Sequence, residues 1–245
     1  MVSKKMLIFI MLGTIFIFLS ILSLYIYGRS LWMPYYLKIV GTQTVSDVIT
    51  EIGTENREKL EDYFKQAGVE YPSNKIKIAL LGFKEEKILE VWALQENKWH
   101  FIHAYPILAA SGDTGPKLRE GDKQVPEGIY QITWLNPNST YYLSMKVSYP
   151  NIYDRKKAEL DGRNKLGGDI FIHGKALSIG CLAIGDEAIE ELFVLAHDVH
   201  IKNIKVILSP NDMRVKKPPF TYKEGSPWLL ELYEKINREL EGFKR

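Results

Sequence analysis

The chemistry in this chain gathers around its only cysteine. Cys181 lies eight positions after His173, in the stretch GDIFIHGKALSIGCLA from Gly168 to Ala183. A cysteine and a histidine so placed are the minimum for thiol acyl chemistry, in which the imidazole takes the thiol proton and the sulfur attacks a carbonyl carbon. Asp169 to Ile172 reads as a short apolar β run, so His173 falls at a strand end and Gly174 lets the chain turn sharply after it. Lys175 to Ser178 is then a loop returning toward the cysteine. Gly180 removes a side chain where the backbone must approach a substrate carbonyl, and the N–H groups around Cys181 are free to serve as an oxyanion hole if they point that way. Just beyond, Gly185, Asp186 and Glu187 open a helix with Asp186 as N-cap, and a helix N-terminus nearby favours the reactive thiolate. Each residue taken alone also has a structural reading: free cysteine is among the most buried residue types, and a strand-end histidine is often only hydrogen-bonded.

The order of these residues goes further than their spacing. His-Gly, a short loop and then Ser-x-Gly-Cys after an apolar strand resembles the catalytic motif of the murein L,D-transpeptidases, the YkuD-domain family. The segment from Gly115 to Tyr130 (GPKLREGDKQVPEGIY) resembles the family's Pro-Glu-Gly turn leading into a strand, and Asn136-Pro137 and Tyr149-Pro150-Asn151 also fit, with the whole most similar to the YafK-like branch. The matching region runs from about Lys75 to Pro210. Two positions depart from the general pattern: Ile179 stands where a histidine is common, and Ala183 where an Asn or Arg is usual. The resemblance implies a thioacyl-enzyme on Cys181, His173 as general base and acid, backbone donors at Gly180, and Ser178 shaping the site. It implies as substrate a peptidoglycan stem tetrapeptide with diaminopimelate at its third position. The acyl group passes to an amine, making a cross-link or attaching a protein lysine, or to water, which makes the same site a hydrolase. A wall-binding domain with an inactive site is the reading from another class.

The elements that must position this site follow from the rest of the chain. Leu7 to Tyr27 is uncharged and long enough to cross a bilayer as a helix, with no small-x-small cleavage site at its end. Lys4, Lys5 and the amino terminus outweigh Arg29, which predicts a cytoplasmic N-terminus and a catalytic domain on the outer side of a bacterial cytoplasmic membrane. The expected division is a membrane anchor at 1–28, a helical connector at 29–73 broken at Gly53 and stopped at Gly68, a catalytic domain at 74–215, and a linker with a C-terminal helix at 216–245. Within the domain, Lys75–Leu81, Ile88–Gln95, Trp99–Leu108, Gly128–Leu135 and Tyr141–Val147 read as strands, with turns at Glu96-Asn97-Lys98 and Asn136-Pro137, and Asn203–Ser209 as the closing strand. The fold class is therefore mostly β, a β-rich α+β sandwich or barrel with a few helices.

The charged stretch from Tyr149 to Gly168 reads either as a solvated loop or as a flap over the site, with Tyr149, Arg155 and Gly174 as substrate-binding candidates. Ile189, Leu192, Phe193, Ala196 and Val199 predict an amphipathic helix after the motif, and Trp228, Leu229, Leu232, Ile236 and Leu240 a second, started by Ser226-Pro227. His197 and His200 lack further ligands, and His100 and His103 point to opposite faces of one strand, so no metal or other cofactor is expected. With 32 basic against 30 acidic residues, a net charge of +2 argues against a nucleic-acid partner.

Overall fold

The structure, a computed structural model, describes residues 4–71, 76–217 and 228–244. It forms two compact units, Met1–Gln43 and Thr44–Arg245. The first holds α1 (Lys4–Tyr27) and α2 (Arg29–Val40). The 24 residues of α1 are long and apolar enough to cross a membrane, and none of them is buried within the protein.

The second unit opens with α3 (Val45–Gln66), started by a capping box in which the Thr44 hydroxyl accepts the Asp47 N–H and the Asp47 carboxylate accepts the Thr44 N–H. This helix differs from the expected connector in two ways. It runs unbroken through Gly53, because a single glycine costs only about 1 kcal/mol inside a helix whose apolar stripe is covered. It is also part of the core, with Val48, Leu60 and Phe64 buried in the same cluster as the sheet and the helix that follows the motif. A side chain at Gly53 would meet the Arg57 guanidinium at 2.8 Å, so the glycine leaves that group room to grip Asp198 with bonds of 2.7 and 2.8 Å. The helix ends before Gly68, which adopts φ +69.

Nine strands follow: β1 (Lys77–Phe83), β2 (Ile88–Gln95), β3 (Lys98–Pro106), β4 (Ala109–Ala110), β5 (Gly128–Ser139), β6 (Tyr142–Val147), β7 (Phe171–His173), β8 (Leu182–Ala183) and β9 (Ile204–Ser209). They form one mixed sheet in the order β3-β2-β1-β9-β5-β6-β7-β8-β4. The β-rich α+β class holds, and β9, expected to close the domain, instead lies in the middle, parallel to β1 and antiparallel to β5. The β2–β3 hairpin turns on Glu96 and Asn97, both at positive φ. The turn expected at Asn136-Pro137 falls later: β5 runs on to Ser139, and a register irregularity between Asn136 and Ser139 takes Pro137 out of the ladder.

Alternation along the central strands sends side chains to two cores. Ile78, Leu80, Val206 and Leu208 face α3 and α5 (Asp186–Val199), whereas Ala79, Leu81, Trp92 and Ile207 face α6 (Trp228–Leu240). The apolar face predicted for the last helix is the one buried, with Trp228, Leu232, Ile236 and Leu240 inside. The Ser226-Pro227 start expected for it, and most of the preceding linker, lie outside the described residues. The expected loop from Tyr149 to Gly168 contains α4 (Ile152–Leu160), because Asn151 and Asp154 form a second capping box.

Candidate active site

The outer half of the sheet, β5 to β8, presents the site. Core-facing Leu135, Met145, Ile172 and Leu182 stand in one cross-strand row, so the residues on either side of them face the other way. That opposite face carries Ser144 and Lys146 on β6, Phe171 and His173 on β7, and Ala183 on β8. Cys181 precedes β8 in a bend, with its Sγ 3.6 Å from the Asp169 carbonyl just before β7, whose far end is His173. Because His173 pairs with Ala183, the thiol and the imidazole stand about 7 Å out of step along the strands.

His173 is buried, with 2% exposure, and its Nδ1 lies 2.6 Å from the Gly174 carbonyl. A carbonyl only accepts, so Nδ1 holds the proton and Nε2 keeps the lone pair a general base needs. The Tyr141 ring lies against the imidazole at 4.8 Å. Burial pushes the His173 pKa down, partly opposed by the Gly174 bond, so the ring stays neutral at neutral pH.

Cys181 is half-buried, and its Sγ donates to the Asp169 carbonyl at 3.6 Å. Burial pushes its pKa up. The Phe171 backbone bond opposes this, the Asp169 charge adds to it and Lys117 opposes it. The resting pair is thus a neutral thiol and a neutral imidazole. Help for a thiolate from the helix start, expected from sequence, is not among these influences. The helix α5 has Gly185 rather than Asp186 as its N-cap residue, and Asp186 instead accepts the Lys175 N–H at 2.8 Å and pairs with the Lys175 ammonium.

Ser178 holds the loop before Cys181: its Oγ accepts the Cys181 N–H at 3.0 Å and donates to the Cys181 carbonyl at 2.6 Å. Gly180 sits at φ +89, which favours glycine, and its N–H donates to Ser111 Oγ at 2.5 Å. The two N–H groups expected to be open for an oxyanion therefore serve hydroxyls here, and an oxyanion must take the place of one. Gly174 has no unusual φ. Its need is room, because a Cβ there would lie 2.6 Å from Asp186 Oδ1 and 3.0 Å from the Tyr141 carbonyl.

The two flap candidates part company with the site. Tyr149 is buried, its hydroxyl 3.3 Å from the Lys117 and Leu166 carbonyls, so it ties two loops together and offers nothing to solvent. Arg155 is exposed on α4, and no described contact brings it to Cys181. Other cations of this stretch face protein groups: Lys157 pairs with Glu231, and Arg163 binds Asp161 and the Leu118 carbonyl.

Several site residues were not singled out from sequence. Ser111 lies 69 residues before Gly180, and only its place in a Ser-Gly-Asp loop marks it. Glu127 of the Pro-Glu-Gly turn is buried, pairs with buried Lys84, accepts the Gly115 N–H at 2.7 Å and the Tyr233 hydroxyl at 2.9 Å, and so anchors the Ser111 loop to α6. Lys117 and Asp122 pair beneath the same loop.

A β-rich domain with His173 ending one strand, Cys181 directly before the strand paired to it, and Ser-x-Gly-Cys tied by Ser178 to the Cys181 backbone defines a class. The family description L,D-transpeptidase catalytic domain (YkuD) matches residues 81–207, more than half of the chain, and the chain belongs to that family. Among particular proteins, it is 36% identical over 113 residues to YafK of Escherichia coli (strain K12), a match covering 45% of this chain. The chain spans 44% of the length of the curated relatives it matches. Similar solved structures include the helical cell shape determining protein Pgp2 of Campylobacter jejuni, at 25% identity and TM-score 0.47, covering 62% of this chain and 55% of that one. Bd1075 of Bdellovibrio bacteriovorus is 20% identical with TM-score 0.42, covering 68% and 55%.

Proposed function

We propose that the protein is a cysteine acyltransferase acting on peptidoglycan stem peptides. The observation that carries this reading is the buried His173, its Nδ1–H committed to the Gly174 carbonyl so that Nε2 is free, on the strand that pairs with Leu182 and Ala183 directly after Cys181. In the reaction, the Cys181 side chain leaves its bond to Asp169 and turns toward His173 across the two-residue offset, and its proton passes to Nε2, directly or through one water, as the sulfur adds to the substrate carbonyl. The carbonyl oxygen becomes an oxyanion and displaces Ser111 or Ser178 from the N–H of Gly180 or Cys181. Collapse breaks the bond to D-alanine, whose amine leaves with the proton from His173. A second amine, from another stem or a protein lysine, then attacks the thioester, losing a proton to His173 Nε2, and the proton returns to the sulfur as the carbon–sulfur bond breaks.

The family supports a wall substrate, and α1 is the feature that supports membrane attachment. With Lys4 and Lys5 on the cytoplasmic side, the catalytic unit lies outside, where stem peptides are. The test is mass spectrometry of the protein incubated with disaccharide tetrapeptides and with cross-linked or protein-linked muropeptides, beside Cys181→Ala. Loss of D-alanine with a new dimer supports transpeptidation, and release of free stems from linked material makes it a hydrolase. No Cys181-dependent product from either substrate refutes acyl transfer and leaves wall binding.

A further inference from the structure

The hydroxyl on the Gly180 amide comes from a loop built to bring it there. Ser111 Oγ accepts the Gly180 N–H at 2.5 Å and donates to the Lys123 carbonyl at 2.7 Å. Its loop is held by the Gln124 side-chain amide, which accepts the Asp113 N–H at 3.0 Å and donates to the Asp113 and Gly115 carbonyls at 2.5 and 2.6 Å. The Lys84 ammonium, paired with Glu127, reaches the same Gly115 carbonyl at 2.8 Å. Gly112, at φ +86, leaves the space that Gln124 fills, since a Cβ there would lie 1.8 Å from the Gln124 amide oxygen. A surface turn needs only a backbone bond to close. This one is fixed by several side chains, and what they set in place is a hydroxyl against the residue before the nucleophile.

Of the two candidate donors for an oxyanion, the Gly180 N–H is the easier to open. Ser178 holds both the N–H and the carbonyl of Cys181, so releasing that N–H also frees the backbone that carries the sulfur. Ser111 leaves Gly180 by turning about one side-chain bond. The Lys123 carbonyl it gives up belongs to an exposed residue, where water replaces it. The displaced hydroxyl stays beside the oxygen that displaced it, because the loop fixes its backbone. Its proton then lies next to a new negative charge, and a hydroxyl donates more strongly to an anion than to a carbonyl.

We propose that Ser111 is a further catalytic residue: in the resting site its hydroxyl caps the Gly180 N–H, and in the transition state it swings to donate a hydrogen bond to the oxyanion beside that N–H. The assignment rests on the acyl-transfer reading above and deepens it by giving the tetrahedral intermediate a side-chain donor from a loop 69 residues before Gly180. A hydroxyl that only plugged the N–H would behave in the opposite way, since its removal would open the donor.

The test compares two reactions of the Cys181 thiol, using the full chain in detergent. Para-nitrophenyl acetate acylates it: the thiol proton goes to His173, the sulfur adds to the ester carbonyl, and the oxyanion collapses with loss of nitrophenolate while His173 returns the proton to water. Iodoacetamide alkylates the same sulfur by displacement of iodide, and no oxyanion forms. Both rates are followed by mass spectrometry at one pH, with Cys181→Ala as the blank. Ser111→Ala is expected to slow acylation by about 100-fold, the effect of losing one oxyanion donor, and to leave alkylation within about twofold. Ser111→Thr, which keeps the hydroxyl, is expected to retain most of the acylation rate. Unchanged or faster acylation in Ser111→Ala overturns the donor role, and so does an equal slowing of both reactions, which marks a purely structural part. An acylation rate that falls as far in Ser111→Thr as in Ser111→Ala overturns it as well. If wild-type Cys181 is alkylated and never acylated, acyl transfer itself fails and takes the donor role with it. If acylation by the ester depends on Ser111 while no stem peptide is turned over, the donor role stands and the wall substrate fails.

Discussion

Replacing Gly174 by alanine tests how tightly the site is built. Its Cβ would lie 2.6 Å from Asp186 Oδ1, 3.0 Å from the Tyr141 carbonyl and 3.2 Å from Ile189 Cγ2. Only the carboxylate has room to move, because Ile189 is fully buried and the Tyr141 oxygen is backbone. Overpacking of this kind costs about 1 to 3 kcal/mol. Moving the carboxylate weakens its bond to the Lys175 N–H, a charge-assisted contact worth about 1.5 to 3 kcal/mol. With both contributions lost in full the cost is about 2.5 to 6 kcal/mol, and for a unit of this size each kcal/mol lowers Tm by about 2 to 4 °C. The clash with the Tyr141 carbonyl is relieved only by the backbone at position 174, which draws its carbonyl from His173 Nδ1, so kcat is expected to fall at least tenfold in the fraction that stays folded. Urea and thermal unfolding give the first quantity and D-alanine release the second. Gly180→Ala is the comparison: the nearest atom to its Cβ is 3.7 Å away, so its whole cost, about 1 to 2 kcal/mol, comes from φ +89. A Gly174→Ala protein within about 0.5 kcal/mol of wild type would refute the packing argument.

Further outcomes follow from the same geometry. Because burial raises the Cys181 pKa and lowers that of His173, alkylation of Cys181 by iodoacetamide is expected to be slow at pH 7 and to accelerate above pH 9, with no thiolate absorbance at neutral pH. A stable thiolate at pH 7 would contradict this. His173, depressed below 6.5, stays neutral in the folded chain while the unfolded chain takes up a proton, so its contribution to stability is lost as pH falls below 6.5, and His173→Gln is expected to remove that part of the pH dependence in urea titrations. Asp154 runs the other way. Burial lifts its carboxyl to about 6, so the folded chain binds the proton first and stability rises as pH falls from about 6 toward 4, by at most about 3 kcal/mol. Asp154→Asn should abolish that rise in unfolding titrations. Phe64→Ala on α3 is expected to cost about 3 to 5 kcal/mol in chemical denaturation, since its ring is fully buried and packs edge-on to Tyr71; a cost under 1 kcal/mol would return α3 to the role of a spacer.

The elements legible in the sequence were those with local causes. The span of α1, the Glu96-Asn97 hairpin, the helical face of Leu192, Phe193 and Ala196, and the buried side of Trp228, Leu232 and Ile236 each follow from periodicity or turn chemistry within a few residues. Misplaced elements were those settled by partners far along the chain. Gly53 does not break α3 because the sheet and α5 cover the helix, and β9 is central because it pairs with strands more than 70 residues before it. Tyr149 and Arg155 looked alike as members of one polar stretch, yet the Lys117 and Leu166 carbonyls claim the first and solvent the second.

For the site, residue type and order alone picked out the residues to which the proposed chemistry is assigned: one cysteine, a histidine at a strand end, and glycines where a side chain would be in the way. Only the tertiary structure decided their states. It put the imidazole proton on Nδ1 through Gly174, kept the thiol neutral by burial, filled the Gly180 and Cys181 donors with Ser111 and Ser178, and set the Asp169 carbonyl against the thiol. The physical reason is that protonation and hydrogen bonding depend on distance and dielectric, which strand register sets, and the partners that fix register lie tens of residues away.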